Sequence, residues 1–215
     1  MYWMIAACWI LCLGVCLPMM FRYRPVNRKL SLTFKALATC CALLLAVCGA
    51  AGMGESAWFC VAGLALCVVA DVLLDISFMP GMGVFLAGHI CYCAWFYARV
   101  GVTKVHAIAL ICFLFFGACL LYTFRKDIGK KRMLPFGAYI LFLSMMASSA
   151  IAYGVTAGNL PALLSLAGGF LFLVSDCMVF YKLMKPMPAW YSVVLMVLYE
   201  IAQLLIGTAC FLLAV

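Results

Sequence analysis

Eight stretches of this chain, at about 2–21, 36–53, 57–77, 83–99, 104–124, 133–153, 160–181 and 190–212, carry few or no charges over roughly the length needed to cross a bilayer. A helix rises about 1.5 Å per residue, so some 20 apolar residues cover the roughly 30 Å of hydrocarbon. With 70% apolar and 9% charged residues and a mean hydropathy of +1.26, the 215-residue chain falls far outside the range of soluble domains. The connecting segments are too short to hold a soluble domain. The expectation is an all-α, polytopic membrane bundle of eight transmembrane helices, with residues 1–215 forming a single transmembrane domain. The first stretch has no basic residue ahead of it and no small-residue cleavage site, and it reads as a retained helix.

The basic residues set the orientation. Arg22, Arg24, Arg28, Lys29 and Lys35 follow the first stretch, Arg125, Lys126, Lys130, Lys131 and Arg132 the fifth, and Lys182 and Lys185 the seventh. Only Arg99 and Lys104 fall on the other side, so the positive-inside rule puts both termini on the non-cytoplasmic side. Basic loops beside anionic lipid account for the net charge of +8 without a nucleic-acid partner. The 14 cysteines show no CxxC pair and no flanking His; they read as small packing residues, including Cys91 and Cys93, which face different ways on a helix. GMGES (52–56) and TAGNLP (156–161) read as external turns, FMPGMG (78–83) and KPMP (185–188) as internal ones, which makes neighbouring helices antiparallel. Gly63, Gly88, Gly168 and Gly169 suit close helix contacts.

Of six acidic residues, only Glu55 and Asp127 fall clearly in loops. Asp71, Asp75, Asp176 and Glu200 lie within the apolar stretches, and His89 joins them. From the cytoplasmic ends, Asp71 and His89 lie roughly 9 Å in, Asp176 roughly 8 Å and Glu200 roughly 15 Å. Pointing at lipid would leave such groups unsolvated, so they should turn inward and line one polar cavity in the inner half of the bundle. Asp75, one turn beyond Asp71, is placed either to line a water path from that cavity or to sit solvated at the interface. No Lys or Arg is expected at that depth, so crowding should leave one carboxyl protonated near pH 7 beside an ionised one, the usual setting for acid–base chemistry. Ser175, Tyr92, Tyr199 and Gln203 stand beside these groups as hydrogen-bonding support, while His106 is expected at the external interface. Helices 3 and 4 carry Asp71 and His89, and helices 7 and 8 carry Asp176 and Glu200 in the same arrangement, which suggests a parallel 4+4 pseudo-repeat.

A serine hydrolase would need an elbow glycine pattern that Ser175 lacks, and a zinc amidase more than two histidines. Proton-coupled transport and a purely structural polar lock use the same residue types. Transport would be marked by broken helices and inverted repeats, a structural lock by polar pairs scattered in depth.

The segment ADVLLDISFMPGMGVFLAGHICYCAWF (70–96), with LAGGFLFLVSDCMVFYKL (166–183) and YEIAQLLI (199–206), resembles the YhhN-like membrane proteins, the lysoplasmalogenase family. The matching positions are Asp71, then Phe85, His89 and Tyr92, then Phe172, Ser175 and Asp176, then Tyr199, Ala202 and Gln203. Ala70 stands where the family favours Gly; Asp75 and Glu200 are not carried by the motifs. The resemblance implies hydrolysis of the vinyl-ether bond of lysoplasmalogens to a fatty aldehyde and a glycerophospho-ethanolamine or -choline, with no cofactor. Asp71 and Asp176 would act as the acid and its charged counterpart, in an order the sequence leaves open, with His89 assisting. A lysophospholipid is then the expected partner, within the surrounding membrane lipid. The cytoplasmic basic loops, Arg132 and Lys182 for example, are placed to hold its phosphate. The cysteine-rich chain with little sequence beyond its helices points to a bacterial inner membrane.

Overall fold

A computed structural model describes residues 2–214. The described residues contain eight helices long and apolar enough to cross a membrane: α1 (Tyr2–Tyr23), α2 (Arg28–Ala50), α3 (Ala57–Ile76), α4 (Phe78–Val100), α5 (Lys104–Thr123), α6 (Lys130–Ala157), α7 (Leu160–Met184) and α8 (Ala189–Leu212). No strand occurs among the described residues. A single helical turn, Arg125–Ile128, joins α5 to α6.

Local chemistry sets the ends. Asn27, Thr103 and Asn159 accept hydrogen bonds from the backbone N–H groups of Leu30, His106 and Ala162, so α2, α5 and α7 start on side-chain caps. Gly158 (φ 66°) ends α6 in the left-handed conformation that a side chain would strain. Three helices begin earlier than hydropathy indicates. The cap at Asn27 starts α2 at Arg28 rather than near residue 36, and α6 starts at Lys130 and runs through Pro135. The FMPGMG turn is instead the start of α4: Pro80 needs no N–H partner in the first turn, and only Ser77 separates α3 from α4. GMGES and KPMP are connecting segments as expected.

Helices α2, α3, α4, α6, α7 and α8 close a ring in which each packs on the next and α8 returns to α2. Outside it, α1 lies on α2 and α5 on α6; α5 is the least buried of the eight. The neighbour pattern repeats after four helices. As α1 lies on α2, α5 lies on α6; as α2–α3–α4 run in sequence, so do α6–α7–α8; and α4 meets α6 as α8 meets α2. The parallel repeat suggested by the placement of acidic residues is thus present in the packing.

The middle of α1 is wound as a π-helix from Ile10 to Cys16. Its Cys8, Cys12 and Cys16 are buried towards the ring, and Trp9 Nε1 donates to Thr208 Oγ1 of α8 at 3.1 Å. Of the 14 cysteines, all free, Cys48, Cys112 and Cys119 are exposed, so the packing role expected for every cysteine fails for these three. Helices α2 and α8 cross in backbone contact. A Cβ on Gly49 would stand 2.5 Å from the Cys210 carbonyl oxygen, and one on Gly207 would strike the Ala42 carbonyl oxygen.

Candidate active site

Asp71 sits on α3 one turn before its end and is 2% exposed. Its Oδ2 accepts hydrogen bonds from Thr39 Oγ1 of α2 at 2.6 Å and from the Tyr199 hydroxyl of α8 at 2.9 Å. Tyr199 is oriented in turn: Gln203 Nε2 donates to its hydroxyl oxygen at 2.9 Å, and Gln203 Oε1 accepts from the Tyr92 hydroxyl of α4 at 2.8 Å. A buried amide satisfied at both ends admits one rotamer, so this chain from α4 through α8 to α3 fixes the carboxylate.

Asp176 sits on α7 and is also buried. Its Oδ2 accepts from the Tyr139 hydroxyl of α6 at 2.6 Å, and His89 Nε2 of α4 lies 3.3 Å from the same oxygen and 3.2 Å from the Tyr139 oxygen. His89 Nδ1 has no hydrogen-bond partner, so Nε2 is the nitrogen that carries a hydrogen to the pair.

The two settings are related by the repeat. Each aspartate lies on the third helix of its half, with one donor from the second helix of that half and one from the fourth helix of the other. Thr39 and Tyr199 serve Asp71; Tyr139 and His89 serve Asp176. Phe172 packs edge-on against both His89 and Tyr199, with ring centroids 5.0 and 5.5 Å away, and Phe85 contacts the same two rings. These two phenylalanines stand between the two networks.

The equivalence breaks at one residue. Lys35 Nζ of α2 lies 3.6 Å from Asp71 Oδ1 and 2.9 Å from Asp75 Oδ2, and donates to the Asp71 carbonyl oxygen at 2.9 Å. Among the described residues Asp176 has no Lys or Arg within ion-pair distance. Both carboxyl groups line one cavity of about 100 Å³, with Tyr139, Ser175, Tyr199 and otherwise mostly apolar side chains such as Phe85, Leu143 and Phe180. A cavity of this size holds a few waters or a short length of chain.

Several expectations need correction. The absence of a cation at the depth of the carboxylates is overturned by Lys35, which the earlier start of α2 draws two turns into the bundle. The four polar groups do not line one cavity. His89 stands behind Asp176, outside the cavity lining. Glu200 turns away towards α1 and α2, where its Oε1 is 3.4 Å from Thr39 Oγ1 and its Oε2 accepts from Cys12 Sγ at 3.8 Å. The Tyr92 hydroxyl donates to Gln203 of α8, and the Ser175 hydroxyl donates to the Phe172 carbonyl of its own helix. Asp75, 34% exposed, lines a second, outer cavity, as a residue on a path to the interface would. His106 sits in the first turn of α5, at the helix end where the sequence puts it, with its ring packed on Tyr97.

Lys35, Thr39 and Tyr139 went unnoticed in the sequence. Asn27 was the available signal for the first, since a cap there starts the helix at residue 28. Thr39 and Tyr139 lie in runs of ordinary membrane residues and carry no local mark. Among the described residues, no three His, Cys, Asp or Glu side chains are grouped as a metal ion would require.

The described residues thus make an eight-helix bundle of membrane-spanning length in which two buried aspartates, each held by its own donors, face one cavity. The model of the YhhN family matches residues 30–210, and the chain belongs to that family. The match takes in all but the outermost residues of the ring helices and every residue of both aspartate networks. Comparison with curated proteins and with solved structures gives no match.

Proposed function

We propose that this YhhN-family protein hydrolyses the vinyl-ether bond of lysoplasmalogens within the membrane, and that its basic end faces the cytoplasm. The observation that carries the proposal is that Asp71 and Asp176 line the same largely apolar cavity under different electrostatic conditions, one beside an ammonium and one not.

Vinyl-ether hydrolysis needs an acid to protonate the β-carbon, a negative charge to steady the oxocarbenium ion that forms at the α-carbon, and an acceptor for the proton lost by the attacking water. The hemiacetal then collapses to a fatty aldehyde and the glycerol alcohol. Water is the only co-reactant. Asp71, beside Lys35 and accepting from Thr39 and Tyr199, supplies the fixed charge and accepts the water proton. Asp176 takes the part of the acid in this reading: its Oδ2 is engaged by Tyr139 and lies 3.3 Å from His89 Nε2, and the residue lines the cavity. His89 holds Asp176 in place from behind. The Lys35 ammonium beside Asp71 supports taking Asp71 as the counter-charge and Asp176 as the acid, two roles the sequence left interchangeable.

The test is aldehyde release from a lysoplasmalogen by purified protein in detergent. Release by the parent protein is expected, with a loss on the order of 100-fold or more for both Asp71→Asn and Asp176→Asn. Release that survives both substitutions removes the acid pair. No release by the parent protein favours proton-coupled transport through the same carboxylates.

A further inference from the structure

A second cavity, of about 440 Å³, adjoins the first on the basic side and shares with it Lys35, Leu74, Phe78, Val179, Leu183, Leu195 and Met196. Its volume lies within the roughly 300–1,000 Å³ usual for small-molecule sites. Four cations line it, Arg24, Arg28, Lys35 and Lys182, against one anion, Asp75. Lys35 is committed to Asp75 and Asp71, and Arg28 donates one bond to the Asp75 carbonyl oxygen. Arg24 and Lys182 have no carboxylate partner among the described residues. They come from the end of α1 and the last turn of α7, elements far apart in sequence that the fold brings to one concavity. Like charges gathered around a hollow without a counter-ion repel one another, and a bound anion relieves that repulsion.

We propose that this outer cavity is a subsite for a phosphate monoanion, held by Arg24, Lys182 and the free N–H groups of Arg28, and that the phosphate belongs to the headgroup of a single-chain phospholipid. The choice of a lipid rests on the function proposed above and on the shared wall: a molecule with its phosphate on Arg24 and Lys182 reaches past the Lys35–Asp75 pair into the apolar cavity of Asp71 and Asp176. A guanidinium fork matches two non-bridging phosphate oxygens, and the lysine adds a point charge. Arg132, expected from the sequence to serve this purpose, lines a different hollow together with Asp127.

Binding is measured in non-ionic detergent with a 1-alkyl lysophosphoethanolamine, whose saturated ether cannot be hydrolysed by the proposed reaction. The comparison probes are an uncharged 1-alkylglycerol of equal chain length, glycerophosphoethanolamine and inorganic phosphate. The phospholipid is expected to bind about tenfold more tightly than the alkylglycerol, with an advantage that shrinks as salt is raised. Arg24→Gln combined with Lys182→Gln is expected to remove most of that advantage and leave alkylglycerol binding unchanged. Both side chains are exposed, so the bundle keeps its core; Lys131→Gln combined with Arg132→Gln serves as the charge-matched control and is expected to change nothing. Equal affinity for the two lipids, or an advantage that persists in the double variant, overturns the subsite. Glycerophosphoethanolamine or phosphate binding as tightly as the lipid assigns the site to a soluble anion and overturns the lipid source. Because no probe is turned over, failure here is separate from failure of aldehyde release.

Discussion

Thr39 and Tyr139 stand in equivalent places four helices apart, and each donates a 2.6 Å hydrogen bond to the buried aspartate of its own half. One half solves the problem of a carboxyl group in the bundle with a short hydroxyl from α2, the other with a phenol from α6. The second solution reaches further and puts an aromatic ring on the cavity wall.

That equivalence is open to measurement. Thr39→Val and Tyr139→Phe keep shape and remove one donor each, so each leaves a buried acceptor short by one bond. Both are expected to cost about 1–3 kcal/mol of stability, read by thermal or denaturant unfolding in micelles. A change that costs nothing at either position means its aspartate has another donor in reserve.

Lys35 is the more severe case. Lys35→Met leaves Asp71 and Asp75 facing each other's charge without a cation, and breaking a buried pair from one side costs about 3–5 kcal/mol. Adding Asp71→Asn to that variant is expected to restore part of the stability while aldehyde release stays absent. If the double variant is less stable than Lys35→Met alone, the two side chains are not coupled as an ion pair.

Glu200 separates burial from chemistry. Glu200 serves as an acceptor, from Cys12 Sγ at 3.8 Å and from Thr39 Oγ1 at 3.4 Å, the longer of the two contacts Thr39 makes. An amide oxygen accepts as a carboxyl oxygen does. Glu200→Gln is therefore expected to keep aldehyde release within about threefold of the parent protein, whereas Glu200→Leu, which removes the acceptor, is expected to lower stability by about 1–3 kcal/mol. Loss of release in the Gln variant at unchanged stability would put Glu200 in the proton path.

The α2–α8 crossing gives a change of sign. A Gly→Ala change inside a helix ordinarily stabilises by about 0.5–1 kcal/mol, and Gly137, with open space where its Cβ would be, is expected to follow that rule. Gly207→Ala drives a methyl group into the Ala42 backbone and is expected to destabilise the protein. Unfolding midpoints of the two variants, moving in opposite directions, are the readout.

The architecture was legible where it depended on hydropathy and charge, because a bilayer imposes one length and one polarity on whatever crosses it. Asp71 and Asp176 were legible for the same reason: a carboxyl group among Val, Leu and Phe stands out. The boundaries were less so. Hydropathy places a helix end where charge begins, but α2 carries Arg28, Lys29 and Lys35 within its first turns, and the cap at Asn27 decides its start. That displacement hid the one cation in the site. The division of four polar groups between two networks was not legible, because it depends on which way α8 is turned; a one-residue rotation, about 100°, separates Tyr199, facing the cavity, from Glu200, facing α1.

Parallel halves also decide which lipids can be reached. An inverted duplication would have set one aspartate near each surface, whereas here both open towards the side that carries Arg24 and Lys182. Under the function proposed above, a lysoplasmalogen in the opposite leaflet would meet the site only after crossing the bilayer, and its consumption would then keep pace with the flip-flop of a polar head through hydrocarbon.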